Sequence, residues 1–166
     1  MTLTLYGAPR SRASMVRWYL EEKAIPYALV QLDLKNGEHR HEPFTTINPF
    51  GKVPALVDDA LSGPDGGPLK LFESGAILFH LAERYGEEFH PEGPGGAEGA
   101  DARRALTTQW LLFANASLGP AMFQVESRPE ETARLLAAVD RILAAGPHLL
   151  AGRWGDPGWG AADCVL

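Results

Sequence analysis

The first half of the chain alternates between strand-like and helix-like spacing of apolar residues. Thr2 to Tyr6 alternates polar and apolar side chains, which predicts a strand with Leu3 and Leu5 on one face. From about Ser11 to Ala24 the apolar residues recur at helical spacing and form two separate rows. Because a surface helix needs only one apolar stripe, the two rows predict a helix that is covered on two sides.

The same half contains three further strand patterns and a second helix. The strands are expected at Tyr27–Leu34, Val53–Val57 and Leu69–Phe72, separated by a polar loop with a short helix at 35–47 and a turn-rich connection at 58–68. The second helix opens at Glu73 and Ser74, since serine is a good N-cap, and stops at Gly86. With a right-handed crossover for the first β-α-β unit, these elements predict a small four-stranded α/β domain.

The second half of the chain reads as helix throughout. Glycine and proline dominate the stretch from Glu87 to Gly99, which predicts a linker. Helices follow at Ala102–Glu126 with a bend near Gly119–Pro120, at Pro129–Ala145, and at the start of Ala161–Leu166. We therefore expect an α/β domain over residues 1–86, a linker over 87–100 and an all-α domain over 101–166.

Composition restricts the function classes. The 166 residues carry a net charge of −6, which argues against a nucleic-acid or acidic-membrane partner. No apolar run approaches the roughly 20 residues of a membrane span, and the first residues lack a signal-peptide pattern. A single cysteine, Cys164, excludes an internal disulfide framework. The five histidines show no metal-ligand spacing. A soluble, cytoplasmic, metal-free protein is the expectation.

The stretch from Asn48 to Leu56 reads N-P-F-G-K-V-P-A-L and has two prolines around a glycine and a lysine. Pro54 stands at the start of a strand, where its missing N–H is tolerated. A cis Val53–Pro54 bond would turn the backbone polar groups of Val53 outward. A cis X-Pro bond is usually a placed feature of a fold, although only about one X-Pro bond in twenty is cis. The residues alone leave both isomers open.

Several motifs in this order resemble the cytosolic glutathione transferases. They are L-Y-G-A-P-R-S-R-A-S-M-V-R, L-E-E-K-A-I-P-Y, N-P-F-G-K-V-P-A-L, L-F-E-S-G-A-I-L-F-H-L-A-E-R-Y and, near the end, L-L-A-G with G-A-A-D. The chain is most similar to the bacterial-type serine class, but the motifs do not assign it to one class. The resemblance implies a thioredoxin-like glutathione-binding domain, an all-helical second domain, a homodimer and a role in detoxification.

The resemblance also implies a set of site residues. Ser11 would stabilise the glutathione thiolate at a helix N-terminus, with Ser14 as the alternative hydroxyl and a plain N-cap as the alternative role for Ser11. The tripeptide would be bound by Lys52, Val53, Pro54, Glu73 and Ser74. Of these, Lys52 would meet the glycyl carboxylate and Val53, before a cis Pro54, the cysteinyl backbone. Glu73 would take the ammonium and Ser74 the α-carboxylate of the γ-glutamyl end. The alternative for Lys52 is an ordinary solvated loop lysine. The alternative for Glu73 and Ser74 is an ordinary helix start without a ligand.

Two departures from the family pattern matter. Gly160 stands where the family has a Ser or Thr cap, although Asp163 keeps its place three residues later. The chain also stops at Leu166, inside a helix that family members continue, so we expect the C-terminal domain to be truncated. The predicted function is transfer of glutathione to a small hydrophobic electrophile. The alternative is a non-catalytic binding or scaffold protein with the same fold, which missing walls of the electrophile pocket would favour.

Overall fold

The computed structural model describes residues 2–152, 155 and 157–166. Contacts divide the chain into two compact units, one ending at Leu81 and the other starting at Ala82. The domain limits inferred from composition, at residues 86 and 101, stay a prediction. None of the described helices is long and apolar enough to cross a membrane.

The first unit is built on a four-stranded sheet in the order β2-β1-β3-β4. Its strands are β1 at Leu3–Gly7, β2 at Tyr27–Gln31, β3 at Ala55–Ser62 and β4 at Pro68–Phe72. β1 pairs in parallel with β2 and antiparallel with β3, and β3 pairs antiparallel with β4. This confirms the thioredoxin-like α/β sheet that the sequence predicts.

Two helices belong to this sheet, α1 at Ala13–Glu22 and α2 at Ser74–Arg84. The core follows the apolar pattern, since Leu3, Leu5, Val16, Leu20, Leu56, Ile77, Leu78 and Leu81 are all buried. The prediction that α1 is covered on both sides is wrong at Trp18, whose side chain is 48% exposed. Its indole N–H instead donates to Glu22 Oε1 at 3.0 Å, a bond within one helical face.

Two strand ends differ from their predicted positions for visible reasons. β2 stops at Gln31, before the predicted Leu34, because the Asp33 carboxylate accepts the backbone N–H groups of Lys35 and Asn36 and turns the chain. β3 begins at Ala55 and continues to Ser62, past the predicted end at Val57. The sequence pattern ended the strand before Asp58 because that residue is polar. In the structure its carboxylate is buried and contacts His80 Nε2 at 2.9 Å.

The second unit is helical, as predicted, with different helix limits. Its helices are α3 at Gly96–Phe113, α4 at Gly119–Phe123, α5 at Pro129–Leu143 and α6 at Ala161–Cys164, with a π-helical turn at Ala114–Leu118. α3 therefore begins inside the predicted linker. The predicted bend near Gly119–Pro120 coincides with the end of the π turn, and Pro120 lies in the first turn of α4, where its missing N–H costs little.

Apolar residues of this unit are buried in some helices and exposed in others. Trp110 is buried and packs edge-on against Phe113 with ring centroids 5.7 Å apart. The apolar residues that recur at helical spacing along α5 are largely uncovered in the described chain, since Leu136, Ile142 and Leu143 are exposed. The buried Arg103 bonds backbone carbonyls instead of a carboxylate, which fixes the segment ahead of α3.

The N-terminus of α6 is capped by a residue that is distant in sequence. Both oxygens of the Glu88 carboxylate accept the Ala161 N–H, at 3.0 and 3.2 Å. A Cβ on Gly160 would lie 2.6 Å from Glu88 Oε2, so glycine leaves the space that the carboxylate fills. Asp163 accepts the N–H groups of Gly160 and Leu149. The missing serine or threonine cap is thus replaced by Glu88.

Candidate functional site

The sheet register brings the predicted site segments to one edge. Tyr6 of β1 pairs with Ala55 of β3, and Ala55 pairs with Phe72 of β4. Neighbouring strands lie about 4.8 Å apart, so these three residues form one row across the sheet. Ser11 follows the end of β1, residues 52–54 precede Ala55, and Glu73 and Ser74 follow Phe72 directly. Three segments that are far apart in sequence therefore meet at a single edge.

Ser11 lies in the turn between β1 and α1. Its hydroxyl donates to the carbonyl of Ala8 at 2.7 Å and accepts the N–H of Ala13 at 3.2 Å. The second contact joins Ser11 to the first residue of α1, while the N-cap position itself is Arg12, which makes no side-chain cap hydrogen bond. Ser14 is exposed and its hydroxyl donates to the carbonyl of Ser11 at 2.9 Å. Both hydroxyls thus lie at the helix start, and Ser11 is the more enclosed of the two.

The loop before β3 is shaped by Asn48. This side chain is 2% exposed, its amide group donates to the carbonyl of Lys52 at 2.7 Å, and its oxygen accepts the N–H of Phe50 at 3.1 Å. One side chain thereby fixes both arms of the turn that presents Lys52 and Val53. The Val53–Pro54 bond is cis, which confirms the isomer that the resemblance favoured.

Lys52 and Val53 differ in exposure. The Lys52 side chain is exposed, Val53 is half-buried and Pro54 is buried. Lys52 therefore offers its ammonium group to solvent or to an anion, while Val53 offers mainly its backbone. His39 lies against this loop, because a Cβ on Gly51 would come within 2.8 Å of the His39 carbonyl oxygen.

Glu73 and Ser74 stand at the start of α2. Glu73 is exposed and has φ of +69°, a left-handed conformation that is costly for a residue with a Cβ. Ser74 is 3% exposed. Such strained residues are concentrated at ligand sites, so the observation points to a functional position as well as to a helix start.

Sequence reasoning missed three features of this unit. Asn48 was noted only as part of a motif, although an asparagine before proline in a loop often bonds the backbone nearby. His39 carried no sequence signal beyond a polar loop, but it is half-buried and its Nδ1 is shielded without a hydrogen-bond partner in the described chain. The Asp58–His80 contact had no local signal, since it joins β3 to α2.

Charged groups of the loop after β2 are organised by hydrogen bonds. The pKa of Asp33 lies below its ordinary value, chiefly because the carboxylate accepts the backbone N–H and then the side-chain amide of Asn36. The pKa of Glu42 is lowered by the hydroxyls of Thr46 and Thr45. Both carboxylates are therefore ionised at neutral pH. Among the described residues no group of three or more His, Cys, Asp or Glu side chains could hold a metal ion.

Comparison with known proteins gives a family match over half of the chain. Residues 1–83 match the glutathione S-transferase N-terminal domain. The chain is 35% identical over 163 residues to disulfide-bond oxidoreductase YfcG of Escherichia coli, covering 89% of this chain and 71% of that protein. It is 41% identical over 88 residues to glutathione S-transferase APIC of Nicotiana tabacum, covering 52% of this chain and 38% of that protein.

A solved structure extends the similarity to both units. The crystal structure of a glutathione transferase from Burkholderia graminis, with two glutathione molecules bound per subunit, superposes with a TM-score of 0.78 at 29% identity. The superposition covers 99% of this chain and 69% of that chain. The chain thus spans 71% of the Escherichia coli protein, 69% of the Burkholderia graminis chain and 38% of the Nicotiana tabacum protein.

Proposed function

Because the chain belongs to the cytosolic glutathione S-transferase superfamily, we propose that it binds glutathione at this sheet edge and activates the thiol for attack on small electrophiles. The observation that carries the proposal is the row Tyr6–Ala55–Phe72, which brings the three site segments together. A peptide-like ligand lying along that edge would meet a hydroxyl, an exposed backbone and a helix N-terminus in succession.

The thiol is the reacting group, and Ser11 is the proposed catalytic residue. Glutathione reacts as the thiolate, so a hydrogen bond to the sulfur at neutral pH raises the reactive fraction. Rotation of the Ser11 hydroxyl from the Ala8 carbonyl to the sulfur would supply that bond, while its oxygen still accepts the Ala13 N–H. The start of α1 adds a favourable field for negative charge.

The two ends of the tripeptide need opposite partners. At the γ-glutamyl end, Glu73 would take the ammonium group, and Ser74 with the first N–H groups of α2 would take the α-carboxylate. At the glycyl end, the exposed Lys52 would pair with the carboxylate. Val53, presented by the Asn48 turn and followed by Pro54, would bond the cysteinyl backbone as an added strand does. His39 is a further candidate near that loop.

The transfer step forms a carbon–sulfur bond and expels a leaving group from the electrophile, while the thiol proton passes to solvent. We extend the proposal to a cytoplasmic homodimer that acts in detoxification. The exposed Phe50, which meets Phe72 edge-on with ring centroids 5.4 Å apart, supports a partner surface near this edge.

A second candidate function is glutathione-dependent reduction of disulfides. It is favoured by the 35% identity to the Escherichia coli protein named as a disulfide-bond oxidoreductase. In that reaction the glutathione thiolate attacks one sulfur of a disulfide, forms a mixed disulfide and releases the other sulfur as a thiolate. A second glutathione thiolate then attacks the glutathione sulfur of the mixed disulfide, which releases the remaining substrate thiolate and forms glutathione disulfide. The same Ser11 hydroxyl would serve both reactions.

The experiment is a glutathione titration by calorimetry, followed by assays with a chlorodinitrobenzene and with a small disulfide. We expect Ser11→Ala to lower kcat/KM about 100-fold, the scale of a lost hydrogen bond to a reacting group. Ser14→Ala should stay within about twofold of wild type, since an exposed hydroxyl is rarely critical. Glutathione binding without turnover would favour the non-catalytic scaffold alternative. Absence of glutathione binding would overturn both the site assignment and the proposed enzyme activity. If Ser14→Ala loses turnover while Ser11→Ala keeps it, Ser14 and not Ser11 is the residue that activates the thiol.

A further inference from the structure

An open cleft of about 450 Å³ lies in the first unit beside the ends of β1 and β2. It is lined by residues 8–10, residues 31–35 and Glu38. Gly7 of β1 pairs with Gln31 of β2, so the cleft opens at the same sheet edge as the candidate glutathione site. None of the residues proposed to bind the tripeptide lines it.

The cleft adjoins the proposed thiol-activating hydroxyl. Ala8, one of its lining residues, accepts the hydrogen bond of the Ser11 hydroxyl at 2.7 Å. A molecule in the cleft would therefore lie one hydrogen bond away from the group that activates the thiol. A second substrate of the proposed reaction must lie close to the thiol, and the cleft offers such a position.

The lining combines apolar walls with two cations. Leu32 and Leu34 supply apolar surface, and Arg10 and Lys35 contribute the cations. Within the described residues, neither of these two side chains makes an ion pair or hydrogen bond. An unpaired guanidinium group presents several donors in a plane that matches a carboxylate.

The two acids of the cleft are already engaged by its own backbone. Asp33 accepts the N–H groups of Lys35 and Asn36, and Glu38 accepts the N–H of Asp33 at 2.6 Å. These hydrogen bonds leave both carboxylates negatively charged, yet within the described residues neither acid forms an ion pair with Arg10 or Lys35, so both cations are open to a bound carboxylate.

The backbone of Arg10 supports a functional reading. Its φ of +56° is left-handed, as is that of Glu73 on the other side of the candidate site. A left-handed arginine costs more than a glycine in the same turn, and such strain recurs where a side chain must be aimed at a ligand.

We propose that this cleft selects a second substrate that carries a carboxylate next to its apolar reacting part, with Arg10 and Lys35 as the binding cations. The inference rests on the proposed function for the reaction itself. The carboxylate could belong to an aromatic electrophile or to a second glutathione molecule. The chemistry is the same in both cases, and the experiment separates the two sources.

The kinetic experiment compares a chlorodinitrobenzoate with the matching chlorodinitrobenzamide. The thiolate attacks the carbon that bears chlorine, the carbon–sulfur bond forms, chloride leaves and the thiol proton goes to the buffer. We expect the wild type to favour the acid, and Arg10→Met with Lys35→Met to lower kcat/KM for the acid about tenfold, as for a lost charge-assisted hydrogen bond. Values for the amide should stay within about twofold, since the amide carries no charge.

The matched control is Arg17→Met, an exposed arginine of α1 that pairs with Glu21. It should leave both substrates unchanged. Equal losses for the acid and the amide in the Arg10 and Lys35 variants would overturn the proposal, and so would an unchanged preference.

Direct binding keeps the proposal testable if the chain shows no turnover. Dinitrobenzoate and dinitrobenzamide lack the leaving chloride, so they cannot react, and calorimetry then measures their affinity for the cleft alone. Tighter binding of the acid, lost in Arg10→Met, supports carboxylate selection even where the transfer reaction fails. Two glutathione sites in the titration, one of them lost in Arg10→Met, would identify glutathione as the source. Binding of neither probe and of only one glutathione would overturn the inference.

Discussion

The N-termini of α2 and α6 both present backbone N–H groups that need an acceptor, but the source of the acceptor differs between them. At α6 the backbone N–H of Ala161 donates to a carboxylate that the chain itself supplies, Glu88. At α2 the first turn begins with the buried Ser74, directly after the strained Glu73, and we propose that its carboxylate partner comes from glutathione. First-turn N–H groups need acceptors in both cases.

The residue ahead of each helix accounts for the difference. Gly160 leaves room for Glu88, because a Cβ there would be 2.6 Å from its Oε2. Glu73 instead carries a charged side chain in a left-handed conformation. A helix start therefore does not reveal by itself whether it binds protein or ligand. The surroundings decide, and the two cases can be separated by mutation.

The largest expected effect is at the internal carboxylate. Glu88→Ala removes an acceptor from a partly buried N–H, so we expect a loss of about 2 kcal/mol in the free energy of unfolding. Chemical denaturation measures it. Glutathione affinity should stay within about twofold, because this contact belongs to the second unit. The exposed Glu92→Ala is the control, and an equal loss there would contradict a specific cap.

The next effect is at the proposed ligand carboxylate. Ser74→Ala should raise the Kd for glutathione about tenfold, which corresponds to about 1.4 kcal/mol. Calorimetry measures it, with Ser127→Ala in the second unit as the control. An unchanged Kd would mean that Ser74 caps α2 and does no more, which would make the two helix ends alike.

The effect of Gly160→Ser on stability should be smaller, and its sign should depend on whether Glu88 is present. In the wild type, Gly160→Ser brings a Cβ against Glu88 and is expected to destabilise the chain by about 1 kcal/mol. In the Glu88→Ala variant the same substitution offers a hydroxyl cap and should restore about 1 kcal/mol. A double-mutant cycle by denaturation tests this. Additive effects of the two substitutions would contradict the account.

The smallest effect concerns a carboxylate away from any helix end. The pKa of Asp33 is lowered, first by the backbone N–H and then by the side-chain amide of Asn36. The folded state therefore favours the ionised form. The resulting stability is present above the ordinary pKa of about 3.9 and is lost as the pH falls through the lower folded value. Asp33→Asn lacks this contribution, so it should be less stable than wild type near neutral pH, and the difference in the free energy of unfolding should shrink as the pH falls through the acid range. Chemical denaturation at several pH values measures it, and a difference that grows on acidification would contradict the sign.

The sequence predicted what local spacing controls and missed what distant partners control. The alternation of Leu3 and Leu5 and the helical spacing in α1 and α2 were sufficient to predict β1, the two helices and their buried residues. The end of β3, the cap of α6 and the turn at Asn48 depend on His80, Glu88 and the Lys52 carbonyl. His80 and Glu88 are not visible in a local pattern, because only the fold brings them close to β3 and α6, whereas the Lys52 carbonyl is four residues from Asn48 and its contact is local.

The same distinction applies to the site. The resemblance supplied Ser11, Lys52, Val53, Glu73 and Ser74, and the register explains how their segments meet. It gave no indication that His39 would be half-buried or that a cleft with unpaired cations would open beside Ser11. Exposed loop positions carry little periodicity, so their burial could not be deduced from the sequence.

The most direct test of the central claim is a glutathione titration followed by backbone amide NMR. We predict saturable binding, with the largest shifts at the amides of Ala13, Val53 and Ser74, one from each segment at the sheet edge. Absence of saturable binding, or shifts confined to the second unit, would contradict the glutathione site.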